Sequence, residues 1–193
     1  MKNIMIAVRV ALVTLVLTGI LYPFAVTGVA KALFPHKANG SMITGEKGEF
    51  IGSELIGQSF AKPSYFQPRP STAGNGYDAQ SSGGSNLGPS SVKLKDRIKM
   101  ETERLLRENP DAEGSVPVEL VTASASGLDP HISPEAALWQ IPRIAASRKA
   151  APEQIRKIVK NATEGRDLKL FGEPRVNVLL VNIALDRQFG KAL

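Results

Sequence analysis

VALVTLVLTGILYPFAVTGVA, residues 10–30, is a run of 21 residues without Asp, Glu, Lys, Arg or His. Wound as an α-helix it measures about 31 Å, close to the thickness of a bilayer's hydrocarbon core. No later stretch of the chain repeats it. The pattern predicts one transmembrane helix at 10–30, a short tail at 1–9 and a water-soluble domain at 31–193. The alternative is a cleaved signal peptide, with Lys2 and Arg9 as its charged region and Gly28-Val29-Ala30 as its cleavage site. Signal peptides carry apolar regions of about 7–15 residues, shorter than this one.

Within the span, Pro23 removes one helix hydrogen bond, and Thr18 and Thr27 are the hydroxyls expected to compensate. Small residues at Gly19, Ala25 and Gly28 leave room for a neighbouring helix. Gly19, Pro23 and Gly28 are therefore candidate partner contacts. Basic residues flank the span almost equally, with Lys2 and Arg9 before it and Lys31 and Lys37 after it. The short tail favours a cytoplasmic N-terminus and an extracytoplasmic domain.

Composition narrows the function. The chain has 24 basic and 18 acidic residues, a net charge of +6, or +4 without Lys2 and Arg9. There is no nucleic-acid-binding signature to accompany this mild basicity. Cysteine is absent, which excludes disulfides and thiolate chemistry. No Gly-x-x-x-x-Gly-Lys-Ser/Thr phosphate loop and no Asp-Lys-Thr-Gly phosphorylation sequence occur. The two histidines, His36 and His131, do not make a metal-binding pattern.

Phe34-Pro35 and Asn39-Gly40 mark a connector, and residues 50–57 read as a short strand. Residues 61–91, rich in Gly, Pro and Ser, read as a long irregular loop. Its aromatics, Tyr65 and Phe66 among them, favour an ordered loop lying on the domain or on a partner. Ser90 or Ser91 caps an expected helix to Asn109, with Leu94, Ile98, Leu105 and Leu106 on one side. Val116–Val121 alternates as a strand does. Ser133-Pro134 opens a helix that Pro142 should divide. Ala151-Pro152 opens another, with Ile155, Ile158, Val159 and Ala162 on one face and Gly165 just past its end. Residues 176–185 suit a strand or a buried helix equally. The soluble domain is thus α/β or α+β.

The segment from Thr122 to His131 holds Ser124, Asp129 and His131, the residue types of a hydrolase triad. It lacks the Gly-x-Ser-x-Gly elbow, and triad members seldom come from ten adjacent residues. No catalytic residue is assigned. The run Ser81-Ser82-Gly83-Gly84-Ser85-Asn86 is similar to part of the ABC-transporter signature loop, but flexible glycine-rich runs are far commoner.

A wider similarity covers nearly the whole chain. It is carried by Tyr22-Pro23, Thr27-Gly28, Phe34-Pro35, Ala38-Asn39-Gly40-Ser41, Leu55-Ile56-Gly57-Gln58, Tyr65-Phe66, Arg69-Pro70-Ser71 and Gly83-Gly84-Ser85-Asn86-Leu87-Gly88-Pro89. Its most specific part is Val121-Thr122-Ala123-Ser124 with Ser126-Gly127-Leu128-Asp129-Pro130-His131, followed by Gln140, Arg143, Arg148 and Val176-Asn177-Val178. By these residues the chain resembles the C subunit of Kdp-type potassium-transporting ATPases of bacteria and archaea. Met42, Glu119 and Ala125 depart from the pattern without removing a charge or a turn residue.

The resemblance implies a single-pass accessory subunit in the bacterial or archaeal cell membrane. Its partners would be a channel-like potassium-binding subunit, a P-type ATPase subunit and membrane lipid, with no nucleic acid. It would have no cofactor of its own, since the partners handle ATP and potassium. An assembly-stabilising role on the outer face is the first expectation. The alternative is a catalytic chaperone that raises the ATP affinity of the hydrolysing subunit, with Gln58 or Ser85 near nucleotide. Tyr65, Phe66, Arg69, Ser126, Gly127 and Asp129 join the span's glycines and proline as candidate partner contacts.

Overall fold

The computed structural model describes residues 1–45 and 47–191. The chain divides into two compact units, Met1–Ser53 and Glu54–Leu193.

The first unit is dominated by one continuous helix, Lys2–Leu33, whose most apolar window has a mean hydropathy of 2.5. It outreaches the expected 10–30 at both ends, because Lys2, Arg9 and Lys31 keep the helical backbone while their long stems carry the charge outward. It has two segments, α1 (Lys2–Val16) and α2 (Tyr22–Leu33), joined by a wider π-helical turn at Leu17–Leu21. In that turn the Tyr22 N–H reaches back to the Leu17 carbonyl. Pro23 follows as the second residue of α2, so the widened turn takes up the strain of the proline ring and its missing N–H. The expected hydroxyl compensation does not come from Thr18, which donates to the Thr14 carbonyl one turn before the break at 2.7 Å.

A short helix, α3 (Pro35–Ala38), follows. Then β1 (Met42–Thr44) and β2 (Phe50–Ser53) pair as an antiparallel hairpin with a bulge after Ile43. The strand expected at 50–57 thus ends at Ser53, and its partner β1 was not expected from the sequence.

The second unit begins with a stretch free of helix and strand through Ser91. Helix α4 (Val92–Glu108) starts at Ser91, whose hydroxyl accepts from the Leu94 N–H. Leu105 is its buried contact, whereas Leu106 faces outward. The expected strand at Val116–Val121 is instead a tight 3-10 turn at Val118–Leu120. The turn buries Leu120 and Val121, adjacent residues that a one-faced strand would send to opposite sides.

Next come β3 (His131–Ile132), α5 (Pro134–Trp139), α6 (Ile141–Arg148), α7 (Pro152–Ala162), β4 (Thr163–Glu164), β5 (Arg175–Asn177) and α8 (Val178–Phe189). Pro142 does divide α5 from α6, at Gln140. Helix α7 does not end on Gly165: Thr163 turns extended and enters β4 directly. The ambiguous 176–185 segment is both elements, β5 running straight into α8 with Asn177 as the cap.

The sheet order is β3–β5–β4, antiparallel throughout, with Ile132 and Thr163 both opposite Val176. Antiparallel strands with segregated helices make this the α+β alternative. Helix α7 packs against α5, α6 and α8. The core joins Ile132, Ile144, Ile155, Val176 and Leu185 from regular elements to Phe66 from the irregular loop.

Phe66 is 0% exposed, so the loop contributes directly to the core. Phe66→Ala should lower unfolding stability by about 3–5 kcal/mol, the usual loss for a buried aromatic. Denaturant titration of the full chain in detergent, read through Trp139, its single and buried tryptophan, measures this. An unchanged midpoint would remove Phe66 from the core account.

Candidate partner-contact site

The segment Ala123–His131 crosses the irregular stretch 54–91 at three places. At the first, the Gly57 N–H donates to the Leu128 carbonyl at 2.7 Å. A Cβ on Gly57 would lie 2.7 Å from the Asp129 carbonyl oxygen, too near for any side chain. At the second, the Ser71 hydroxyl donates to the Gly127 carbonyl at 2.6 Å and accepts from the N–H groups of Ala73 and Tyr77. At the third, the Gly83 N–H and the Ser82 hydroxyl both donate to the Ser126 carbonyl.

Gly127 sits at the centre, with φ +68 and 2.6 Å between a notional Cβ and the Gly83 carbonyl oxygen. Gly84 likewise has the Ala125 carbonyl oxygen 2.8 Å from its notional Cβ. The glycines that resembled a nucleotide loop therefore serve close backbone crossing. Tyr77 closes the arrangement, its hydroxyl donating to the Arg69 carbonyl at 2.7 Å. Burial pushes that phenol up to about 12, so it remains a donor across the physiological range.

Arg69 and Asp129 join the same crossing. The Arg69 guanidinium is 3.4 Å from the Asp129 carboxylate and 3.4 Å from the Ala123 carbonyl. Asp129 also accepts the His131 backbone N–H at 3.0 Å, an Asx turn leading into β3. Burial alone would raise the Asp129 carboxyl. Hydrogen bonds from His131 and the charge of Arg69 outweigh it, and the group is held below the ordinary aspartate value. The Ser124 hydroxyl lies 3.5 Å from that of Ser126, and His131 Nδ1 lies 3.6 Å from Asp129. Among the described residues no hydrogen bond links either serine to His131, so the hydrolase arrangement does not form.

The remaining candidates are placed elsewhere. Tyr65 is half-buried, donates to Asp186 at 2.8 Å and lies under the Arg148 guanidinium, 4.9 Å from its ring centre. Phe66 is committed to the core and presents no side-chain surface to a partner. Ser126 is exposed, while Gly127 is buried. In the apolar helix, a Cβ on Gly28 would meet nothing within 4 Å, and one on Gly19 only Leu15 of the same helix at 3.7 Å. None of the helix's apolar window is covered by the chain itself.

Asn182, Gln140, Arg143 and Arg148 hold the loop; the last three stand out in the sequence only through the family resemblance, and Asn182 does not stand out at all. A cleft of about 320 Å³ beside the crossing is lined by Gln67, Tyr77, Glu101, Arg104 and Glu108. Arg104 there is already bound to Glu101 and Glu108, each at 2.8 Å, leaving its charge engaged within the domain. Among the described residues no cluster of three His, Asp or Glu side chains is placed to hold a metal ion.

The crossing brings together segments that carry the family resemblance, Gly57, Arg69, Ser71, Gly83 and Ser126–Asp129. A model of the family described as K+-transporting ATPase, c chain (KdpC), matches residues 4–187. The chain belongs to the KdpC family. A potassium-transporting ATPase KdpC subunit of Myxococcus xanthus is 60% identical over 184 residues, covering 95% of this chain and 87% of that relative. The subunit of Koribacter versatilis is 49% identical, covering 96% and 94%. That of Bradyrhizobium diazoefficiens is 48% identical, covering 99% and 100%.

Two outcomes test the crossing. Gly127→Ala should cost about 1–3 kcal/mol, more than Gly114→Ala, because left-handed backbone strain is joined by a clash. Gly114 has a similar φ of +80 with open space around it. Equal losses in denaturant titrations would discount the close approach. Asp129, with its folded pKa depressed, stabilises the fold above the ordinary aspartate range and loses that contribution as pH falls through the folded value. Asp129→Asn should therefore flatten part of the acid limb of a stability–pH profile. An unaltered limb would contradict the assignment.

Proposed function

We propose that this chain is the membrane-anchored accessory subunit of an ATP-driven potassium-import complex, stabilising assembly while larger partners hydrolyse ATP and conduct the ion. The observation that carries this is the bare helix. Lys2–Leu33 is long and apolar enough to cross a membrane, and none of its apolar window is buried by the chain. It is left to lipid and to helices of other subunits. Gly28 supports close helix approach, since the space where its Cβ would lie is open.

The soluble domain supports a scaffold role. The Ser, Asp and His of its sharpest segment are tied into turns, and Arg104 of its polar cleft is neutralised internally. What the domain offers a partner is a fixed surface at the loop crossing, with Ser82, Ala125 and Ser126 exposed on it. Association through a preformed surface avoids the entropy loss of ordering a loop at the moment of binding. The reading places this surface outside the cell, against the channel-like potassium-binding subunit, with the span packed among the helices of the complex.

Two experiments test the proposal. The chain has no cysteine, so Ser90→Cys creates a single label site on an exposed residue. It should react with an impermeant thiol reagent on intact cells, with any outer membrane permeabilised. Labelling only after lysis would put the domain inside. Gly28→Leu should reduce the yield of the detergent-solubilised complex several-fold, with the Michaelis constant for ATP little changed in the complex that remains. Normal yield with a raised constant would favour the catalytic-chaperone role.

A further inference from the structure

Between β4 and β5 the chain makes a hairpin of its own. Asp167 and Phe171 exchange both backbone hydrogen bonds, at 2.8 and 2.9 Å. The tip turns through Leu168 and Lys169, at φ 52 and 62. Both residues occupy the left-handed region that side chains other than those of Gly, Asn and Asp seldom adopt.

Ion pairs brace the hairpin. Arg166 binds Glu173 at 2.8 Å, and Arg175 binds Glu164 at 3.0 Å and Asp167 at 3.4 Å. These pairs take up every acid and both arginines between Thr163 and Arg175. Lys169 makes no ion pair among the described residues. The tip therefore carries one uncompensated cation beside three bulky apolar side chains, with Leu168 88%, Leu170 69% and Phe171 60% exposed. Among the described residues only Met1 is a more exposed large apolar side chain than Leu168.

Single exposed hydrophobic residues are ordinary, but three within four residues on a braced tip mark a contact surface. Apolar groups beside a lone cation fit the boundary between acyl chains and anionic headgroups. The local acids are neutralised within the hairpin, so none opposes such a surface. The chain's own span would hold the bilayer at high effective concentration, where even a weak contact is populated. We propose that the tip Leu168–Phe171 docks on the anionic lipid surface of the membrane that Lys2–Leu33 enters, giving the domain a second point of attachment. This rests on the reading of that helix as a span.

The test uses the full chain in vesicles of phosphatidylethanolamine and phosphatidylglycerol. Leu168→Cys carries an environment-sensitive fluorophore, and Ser90→Cys serves as the exposed reference. At position 168 the emission should shift to the blue, and spin-labelled lipid should quench it several-fold more than at Ser90. Lys169→Glu combined with Phe171→Ser should abolish both effects, and vesicles of phosphatidylcholine alone should weaken them. If carbonate extracts the chain from the vesicles, the span reading fails and the proposal fails with it. If the chain resists extraction but the label reports water, the tip is free and the proposal alone is overturned. A label that is shielded in the assembled complex but not quenched by lipid would assign the tip to a protein partner, and overturns it too.

Discussion

Two side-chain amides hold the domain's longest irregular segment where a strand would otherwise be needed. Asn182 accepts from the Phe66 N–H at 2.8 Å and donates to the Phe66 carbonyl at 3.0 Å. Gln140 does the same for Gln67, at 2.8 and 3.1 Å. Each amide reproduces the pair of bonds that a neighbouring strand supplies to a residue it faces. Around them Arg143 donates to the Pro63 and Tyr65 carbonyls and Arg148 to that of Ser64. Burial lowers the Arg143 guanidinium to about 10, with Glu108 opposing the shift, and it remains charged and donating at neutral pH. Phe66 can enter the core because its own backbone polar groups are satisfied on the way in.

The clamp links sequence to function. Gln140 stands at the break that Pro142 imposes between α5 and α6, and Asn182 and Asp186 lie on α8. Helices α6 and α8 and the α5–α6 junction thus fix residues 63–67, and the following residues reach the crossing with Ala123–His131 already positioned. There, backbone-to-backbone approach at Gly57, Gly84 and Gly127 leaves little freedom. A segment that composition alone marks as irregular becomes a shaped surface.

Much of this was legible in the sequence. The uncharged run announced the long apolar helix, and Ser91, Ser133-Pro134, Pro142 and Pro152 set helix boundaries through capping and ring geometry, which are local effects. What was not legible depended on tertiary partners. Val116–Val121 alternates like a strand, yet it pairs with no strand among the described residues, and the chain buries two successive residues in a turn instead. The π-helical turn before Pro23 is a response to the proline that hydropathy does not register. Gly127 was picked out by family resemblance as a partner contact, and its φ of +68 reveals a reason internal to the fold. Leu168 to Phe171 escaped notice because their exposure is visible only once the hairpin is closed.

Amide hydrogen exchange at Phe66 and Gln67, in the full chain, tests the central claim most directly. If Asn182 and Gln140 hold this segment as a strand would, both N–H groups should be protected to the level of the central strand β5, exchanging only when the domain unfolds. Exchange at the rate of an open loop, while β5 remains protected, would contradict it.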